Sequence, residues 1–234
     1  METASVARHF ASSVGKKFLM AVSGVVLVGF VAAHLLGNLQ IFLGQEAINR
    51  YAAFLQSATD LLWPARLFLL AMVGTHIVTS IQLTLEADAA RPTPYERKQF
   101  IQASLASRTM IYSGFLILGF IVYHLLHFTF LKVHPEYSHL TDARGRHDVY
   151  SMMVLSFQRP EICAAYIVPI FFLCFHLSHG ISSMFQSLGF NTERTRAGLS
   201  AWGARLAWLL FLGYASIPLA CFFGWVKLPP GVMP

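Results

Sequence analysis

Charged residues are scarce in this chain of 234 residues: only 12% are Asp, Glu, Lys or Arg, whereas 56% are hydrophobic. A soluble domain usually carries about 25% charged residues. Because so few charges cannot cover a surface that faces water, the composition excludes an ordinary soluble enzyme and a disordered chain. It also excludes a nucleic-acid binder, although the formal net charge is +6. The sequence therefore predicts an integral membrane protein in contact with membrane lipid.

Strand patterns are absent as well: no segment of about ten residues alternates between apolar and polar side chains, as a membrane-spanning barrel requires. Helices are then the form in which the backbone can satisfy its hydrogen bonds within lipid. Each charge-free window is long enough for a helix of about 20 residues to cross a bilayer. These windows are Phe18–Gln45, Leu67–Leu85, Thr109–Leu131, Ile162–Thr192 and Leu206–Val226. We predict an all-α integral membrane protein with a single domain, residues 1–234, whose five transmembrane helices span about 18–45, 64–86, 108–131, 161–190 and 205–226.

Lys and Arg predict the orientation, because short cytoplasmic loops carry an excess of these residues. A cytoplasmic N-terminus and an outside C-terminus place more of the Lys and Arg residues on the cytoplasmic side. The basic N-terminal segment does not have the pattern of a cleavable signal peptide. The polar connection Ala87–Ser107 is then cytoplasmic, and the connection at about 132–160 lies outside. Within the outer connection, Asp148–Phe157 predicts a short helix on the outer surface. Pro160 should open the fourth span, as Trp63-Pro64 should open the second.

Cysteine is also scarce. Cys163, Cys174 and Cys221 all lie in apolar windows, where cysteine usually serves as a small core residue. The sequence contains neither Cys-x-x-Cys nor Cys-x-x-Cys-His, which excludes a zinc site of that type and covalently attached haem.

The residues that stand out are histidines inside the charge-free windows. Ionisable groups are costly within a membrane and usually mark a functional site. A single such histidine is more often a hydrogen-bonded contact between helices. Six of them on four helices, with no carboxylate in the same windows, instead predict a binding site: His34, His76, His124, His127, His176 and His179.

Haem b is the ligand that this pattern favours. Zinc needs a tetrahedral set of ligands, normally with help from Cys or carboxylate groups. A haem needs only two axial imidazoles, which facing helices can supply. Four helices that carry histidine therefore predict two haems, each held by two histidines.

Position along the windows predicts which helices share a haem. His34 lies past the midpoint of the first window, toward the outer surface, and the His124/His127 pair lies past the midpoint of the third. His76 and the His176/His179 pair lie near the middle of their windows and form the deeper pair by elimination. Because residues three apart share a helix face, spacing alone does not choose between the two histidines of the third or fourth helix.

Four short strings carry a family resemblance: VAAHLLGN, VGTHIVTS, IVYHLLHF and FFLCFHLSHG. They resemble the haem-ligand segments of the dihaem cytochrome b membrane-anchor subunit of succinate:quinone oxidoreductases, that is, succinate dehydrogenases and fumarate reductases with a single large anchor. The resemblance covers nearly the whole chain. It implies that the first histidine of each segment is the ligand, and that the remaining two support the site without binding iron. The implied ligands are His34 and His124 for a distal haem b and His76 and His176 for a proximal haem b, with His127 and His179 in support.

The resemblance also implies a function. A flavoprotein subunit and an iron–sulfur subunit dock on the cytoplasmic face of a bacterial inner membrane, and electrons pass through the two haems between the iron–sulfur subunit and a membrane quinone, menaquinone or ubiquinone. Some fumarate reductases of this kind carry a proton-transferring glutamate two residues before the fourth ligand; this chain has Cys174 there. The alternatives are a cytochrome b subunit of another quinone-linked respiratory enzyme, such as a formate dehydrogenase or hydrogenase, and a transporter with a histidine relay.

Overall fold

The computed structural model describes residues 11–90 and 104–232, and helices dominate this part of the chain. An isolated bridge pairs Thr141 with His147. The longer helices are α1 (Ser13–Asn38), α2 (Gln45–Ser57), α3 (Thr59–Ala89), α5 (Met110–His124), α6 (Val149–Phe157), α7 (Pro160–Ser187) and α8 (Glu193–Phe222). The shorter elements are a 3₁₀ turn at Leu39–Leu43, the single turn α4 (Leu105–Arg108), a π-helical turn at Leu125–Thr129 and a 3₁₀ turn at Pro135–His139.

The prediction of five membrane-spanning helices is confirmed. The helices that are long and apolar enough to cross a membrane are Ser13–Leu43, Thr59–Ala89, Met110–Thr129, Pro160–Ser187 and Glu193–Phe222. Several of them run beyond the charge-free windows, because a helix can continue its backbone hydrogen bonds into polar flanking sequence. Residues 91–103 of the predicted cytoplasmic connection lie outside the described residues, as does the N-terminal segment 1–10. The orientation of the termini stays a prediction.

Proline opens one span and not the other. α7 begins at Pro160, as predicted. The prediction for Pro64 is wrong, because α3 begins at Thr59 and contains Pro64 in its interior. Asp60 in the first turn suits the positive end of the helix dipole and favours the earlier start. A proline inside a membrane helix is tolerated where neighbouring groups satisfy the freed backbone carbonyl.

The short helix predicted on the outer surface is present as α6, but it does not lie on a surface. Every residue from Tyr150 to Phe157 is buried. The helix carries apolar side chains on every face, and Ser151 and Ser156 are its small polar residues. It therefore lacks the polar face that a half-exposed helix needs.

A cluster of polar side chains joins α6 to α2. Asp148 caps α6 by accepting from the backbone N–H of Ser151 at 3.1 Å. The same carboxylate accepts from the side-chain amides of Asn49 at 2.9 Å and Gln45 at 2.8 Å. Asn49 is fully buried, and its carbonyl oxygen accepts from the backbone N–H of Tyr150 at 3.0 Å. The start of α6 is therefore tied to α2 by hydrogen bonds to a buried carboxylate.

Ion pairs extend this cluster toward the surface. Arg146 donates from Nε to Asp142 at 2.8 Å and from Nη2 to Glu46 at 2.6 Å. Burial alone would raise the pKa of Asp142, but hydrogen bonds from the side chain and backbone of Arg146 outweigh it and lower the pKa to about 2. Asp142 therefore stays ionised at neutral pH and binds Arg146. Arg146 in turn joins the loop before α6 to Glu46 of α2.

The chain divides into two compact units, and each of the five long helices contributes a segment to both. Unit 1 comprises Met1–Phe30, Arg66–Gly114 and Phe175–Ala207. Unit 2 comprises Val31–Ala65, Phe115–Cys174 and Trp208–Pro234. The six histidines divide equally: unit 1 contains His76, His176 and His179, and unit 2 contains His34, His124 and His127.

Candidate haem ligands in the two units

Unit 1 brings together the histidines of α3 and α7. The ring centres of His76 and His176 lie 6.5 Å apart, and the ring planes are inclined at 59°. A Ser-Gly dipeptide from another helix flanks each ring: α1 supplies one to His76, and α5 supplies the other to His176. A Cβ atom on Gly24 would lie 3.6 Å from Cε1 of His76, and one on Gly114 would lie 3.8 Å from Cε1 of His176. A side chain at either position would therefore be in van der Waals contact with a candidate ligand.

The hydrogen bonds of His76 determine which ring nitrogen carries the proton. Nδ1 lies 3.2 Å from the backbone carbonyl oxygen of Met20 and 3.3 Å from Oγ of Ser23. A carbonyl can only accept, so Nδ1 must be the donor. In a neutral imidazole the lone pair then resides on Nε2, which is the form that binds a metal.

His176 is held in the same way by α5. Its Nδ1 lies 3.0 Å from Oγ of Ser113, and the Met110 backbone lies within interaction range of the ring. The Ser113 hydroxyl donates to the Met110 carbonyl at 3.0 Å, which leaves the serine oxygen to accept from the imidazole. His179, one turn further along α7, is half-buried and within electrostatic range of His176.

Unit 2 brings together the histidines of α1 and α5. The ring centres of His34 and His124 lie 5.8 Å apart at an interplanar angle of 82°. Tyr214 of α8 flanks His34 with a ring separation of 6.4 Å. The hydroxyl of Tyr214 donates to the Val31 carbonyl at 2.6 Å, which fixes this aromatic ring beside the pair.

His127 does not join this pair. It lies in the π-helical turn that follows α5, and its ring stacks on Phe128 with centres 4.1 Å apart. Both ring nitrogens already have partners: Nδ1 lies 2.9 Å from the hydroxyl of Tyr166, and Nε2 lies 3.2 Å from Oγ of Ser156. Because a metal ligand needs one nitrogen lone pair pointing at the metal, the structure favours His124 over His127 as the ligand.

Comparison with known proteins supplies a family. The family model described as "Succinate dehydrogenase/Fumarate reductase transmembrane subunit" matches residues 90–215, which is more than half of the chain. The chain belongs to this family. The match includes His124 and His176, whereas His34 and His76 precede it and enter the site through their ring contacts alone. Comparisons with curated proteins and with solved structures give no match.

The ligand geometry of this transmembrane subunit can be tested against haem. A metal–imidazole bond is about 2 Å long, so two imidazoles on opposite sides of one ion have ring centres roughly 6 Å apart. The observed separations are 5.8 Å in unit 2 and 6.5 Å in unit 1. Among the residues that the structure describes, no group of three or more His, Cys, Asp and Glu side chains could hold a metal ion. The donor sets are therefore pairs, and the separation within each pair matches that expected for two imidazoles on one haem iron.

Sequence reasoning missed the side chains that hold the ligands. Ser113 could have been found, because the Ser-Gly dipeptide of α1 recurs in α5. Ser156, Tyr166 and Tyr214 carry no comparable signal: each lies in a different helix from the histidine it serves, with no periodicity to link the two. As ordinary residues of apolar helices, they are recognised only from the folded transmembrane subunit.

Proposed function

We propose that this chain is the haem b-containing membrane anchor of a succinate:quinone oxidoreductase. His76 and His176 hold one haem b, and His34 and His124 hold the other, within a single transmembrane cytochrome b domain. Bound haem supplies one-electron transfer between the iron–sulfur subunit and a membrane quinone. The anchor is thus a subunit of the enzyme and not a complete enzyme by itself.

The observation that carries the proposal is the pairing of imidazoles from facing helices at a bis-imidazole separation, twice in one chain. In unit 1 the Nδ1 hydrogen bonds to Ser23, Ser113 and the backbone orient each ring and leave Nε2 as the donor to iron. The apolar windows of the four ligand-bearing helices keep water away from the rings. The protein contributes ligation, orientation and a medium of low polarity, and the redox chemistry belongs to the cofactor.

The partners follow from the same proposal. A flavoprotein subunit and an iron–sulfur subunit dock on the cytoplasmic face of a bacterial inner membrane, and the N-terminus lies on that face. His76 and His176 would hold the haem nearer the iron–sulfur subunit, and His34 and His124 would hold the haem nearer the menaquinone or ubiquinone. His127 and His179 support the site without binding iron. Family membership favours this assignment over a formate dehydrogenase or hydrogenase anchor and over a histidine-relay transporter.

The test is the haem content of the purified complex. We expect two b-type haems per copy of this chain, with the low-spin absorption spectrum of bis-histidine ligation, and copurification of a flavoprotein and an iron–sulfur protein that reduce quinone with succinate or oxidise quinol with fumarate. A colourless preparation would contradict the haem assignment, and a different catalytic partner would contradict the enzyme assignment.

A further inference from the structure

The polar side chains near His124 form a chain of hydrogen bonds that ends on a backbone carbonyl. The hydroxyl oxygen of Ser156 lies 2.7 Å from the carbonyl oxygen of Met152 and 3.2 Å from Nε2 of His127. A hydroxyl has one hydrogen, and the Met152 carbonyl can only accept it. Ser156 therefore donates to Met152 at the shorter distance and accepts a hydrogen bond from Nε2–H of His127.

The hydrogen bond that His127 donates to Ser156 determines the hydrogen bond between His127 and Tyr166. A neutral imidazole with its hydrogen on Nε2 has a lone pair on Nδ1. The hydroxyl of Tyr166 lies 2.9 Å from that nitrogen, so Tyr166 donates to His127. The same hydroxyl oxygen lies 3.4 Å from Nδ1 of His124. With its hydrogen already directed to His127, Tyr166 can only accept from His124, whose hydrogen must then reside on Nδ1 and whose lone pair must reside on Nε2.

The links of this chain are buried, so each of them needs its partner. His127 and Ser156 are both 0% exposed, and Tyr166 is 4% exposed. A donor or acceptor that loses its partner in such surroundings costs about 1–3 kcal/mol, because water cannot replace the bond. Reversing the chain would direct the Ser156 hydroxyl at His127 and away from the Met152 carbonyl, which lies at the shorter distance.

We propose that Ser156, His127 and Tyr166 act in series as positioning residues that fix the orientation and tautomer of His124, and thereby tune the haem held in unit 2. The inference rests on the proposed function. When a histidine ligand donates a hydrogen bond from the ring nitrogen that does not bind the metal, its metal-binding nitrogen becomes more basic. A more basic ligand stabilises the oxidised form of the metal. The direction of the chain therefore lowers the reduction potential of that haem.

The test is a redox titration of the intact complex with Tyr166→Phe. We expect both haems to remain bound and the midpoint potential of one to rise. That haem should be the one missing from the His124→Ala complex. The position of its ferric electron paramagnetic resonance signal should also change in Tyr166→Phe. Ser156→Ala, which removes the far end of the chain, should shift the same haem in the same direction by a smaller amount.

Tyr123→Phe is the matched control. The rings of Tyr123 and Tyr166 both lie 5.6 Å from the ring of His127, but Tyr123 is not a link in this chain. Its replacement should leave both potentials unchanged. A complex that binds two haems and shows the same potentials with Tyr166→Phe and Ser156→Ala as without them would overturn the inference and leave the proposed function standing. A wild-type complex without haem would instead overturn the function. If Tyr166→Phe failed to assemble, the shift or its absence in Ser156→Ala would decide.

Discussion

The two ligand pairs are supported in different ways. In unit 1, His76 and His176 each donate to a serine on a neighbouring helix, and the backbone of Met20 or Met110, three residues before that serine, lies within range of the ring. In unit 2, His124 reaches its backbone acceptor only through Tyr166, His127 and Ser156. The unit 1 support needs only the spans themselves. The unit 2 support needs α6, a helix in the connection between two spans.

This difference makes the connection that contains α6 part of the proposed haem site of unit 2. α6 supplies Ser156 and the Met152 carbonyl, and its own position depends on the hydrogen bonds between Asp148 and α2. Residues far from iron in unit 2 should therefore affect its haem, whereas the unit 1 haem should depend mainly on residues that touch its ligands.

Loss of a ligand should give the largest effect. His124→Ala and His176→Ala should each remove one haem per chain and spare the other, because each ligand pair lies within a single unit. Spectra and haem-to-protein ratios of the two purified complexes would show complementary losses. His139→Ala, at an exposed position in the connection, serves as the control and should retain both haems. Loss of both haems from either ligand variant would show that the two sites depend on each other.

Loss of the hydrogen bonds between α2 and the start of α6 should give the next largest effect. Asn49→Ala removes the amide donor to the buried Asp148 and the acceptor for Tyr150 N–H. Because hydrogen bonds to charged groups contribute about 1.5–3 kcal/mol each, we expect unit 2 to lose about 2–4 kcal/mol of stability. Heating should then release the haem ligated by His124 at a lower temperature than in the wild type, while the other haem is released at the wild-type temperature.

Ser57→Ala provides the matched control for Asn49→Ala. Ser57 lies in the same helix, at an exposed position, and donates only to the carbonyl of Phe54. Its loss should not change the release temperature of either haem. Equal release temperatures for Asn49→Ala and Ser57→Ala would show that α6 does not support the unit 2 site.

The serines of unit 1 should give the smallest effect. Ser23→Ala and Ser113→Ala each remove one acceptor from a ligand's Nδ1–H, but a backbone group remains in reach of both rings. We expect each to raise the midpoint potential of the unit 1 haem by less than Tyr166→Phe raises that of the unit 2 haem. Redox titration of the three variants side by side measures the order. A larger shift in either serine variant would reverse the comparison.

The spans, and the histidines whose rings pair within them, could be identified from sequence because both leave a local signal. A charge-free window long enough to cross a bilayer identifies a helix. A histidine inside such a window costs free energy to bury and therefore usually marks a functional site. The choice of His124 could not be reached from spacing, since residues three apart on an α-helix share a face. The folded chain separates them by their partners: His127, in the π-helical turn at Leu125–Thr129, has both ring nitrogens occupied by Tyr166 and Ser156.

The remaining errors also have physical reasons. The spacing of Val149, Met152 and Met153 predicts a helix that lies on the outer surface. Its apolar residues on every side are the evidence for burial. Pro64 was expected to begin α3, since proline favours the first turn, but the helix starts at Thr59 and accommodates the proline later.

The π-helical turn has one more consequence, for the rotational phase of the helix. The N–H of Phe130 bonds the carbonyl of Leu125, five residues back, where an α-helix would reach four. Each residue of an α-helix advances about 100° around the axis, so one residue added to a turn offsets everything beyond it by that angle. Removing Leu125 or Leu126 would cancel the offset, turn His127 away from Tyr166 and Ser156, and so interrupt the proposed link from α6 to His124.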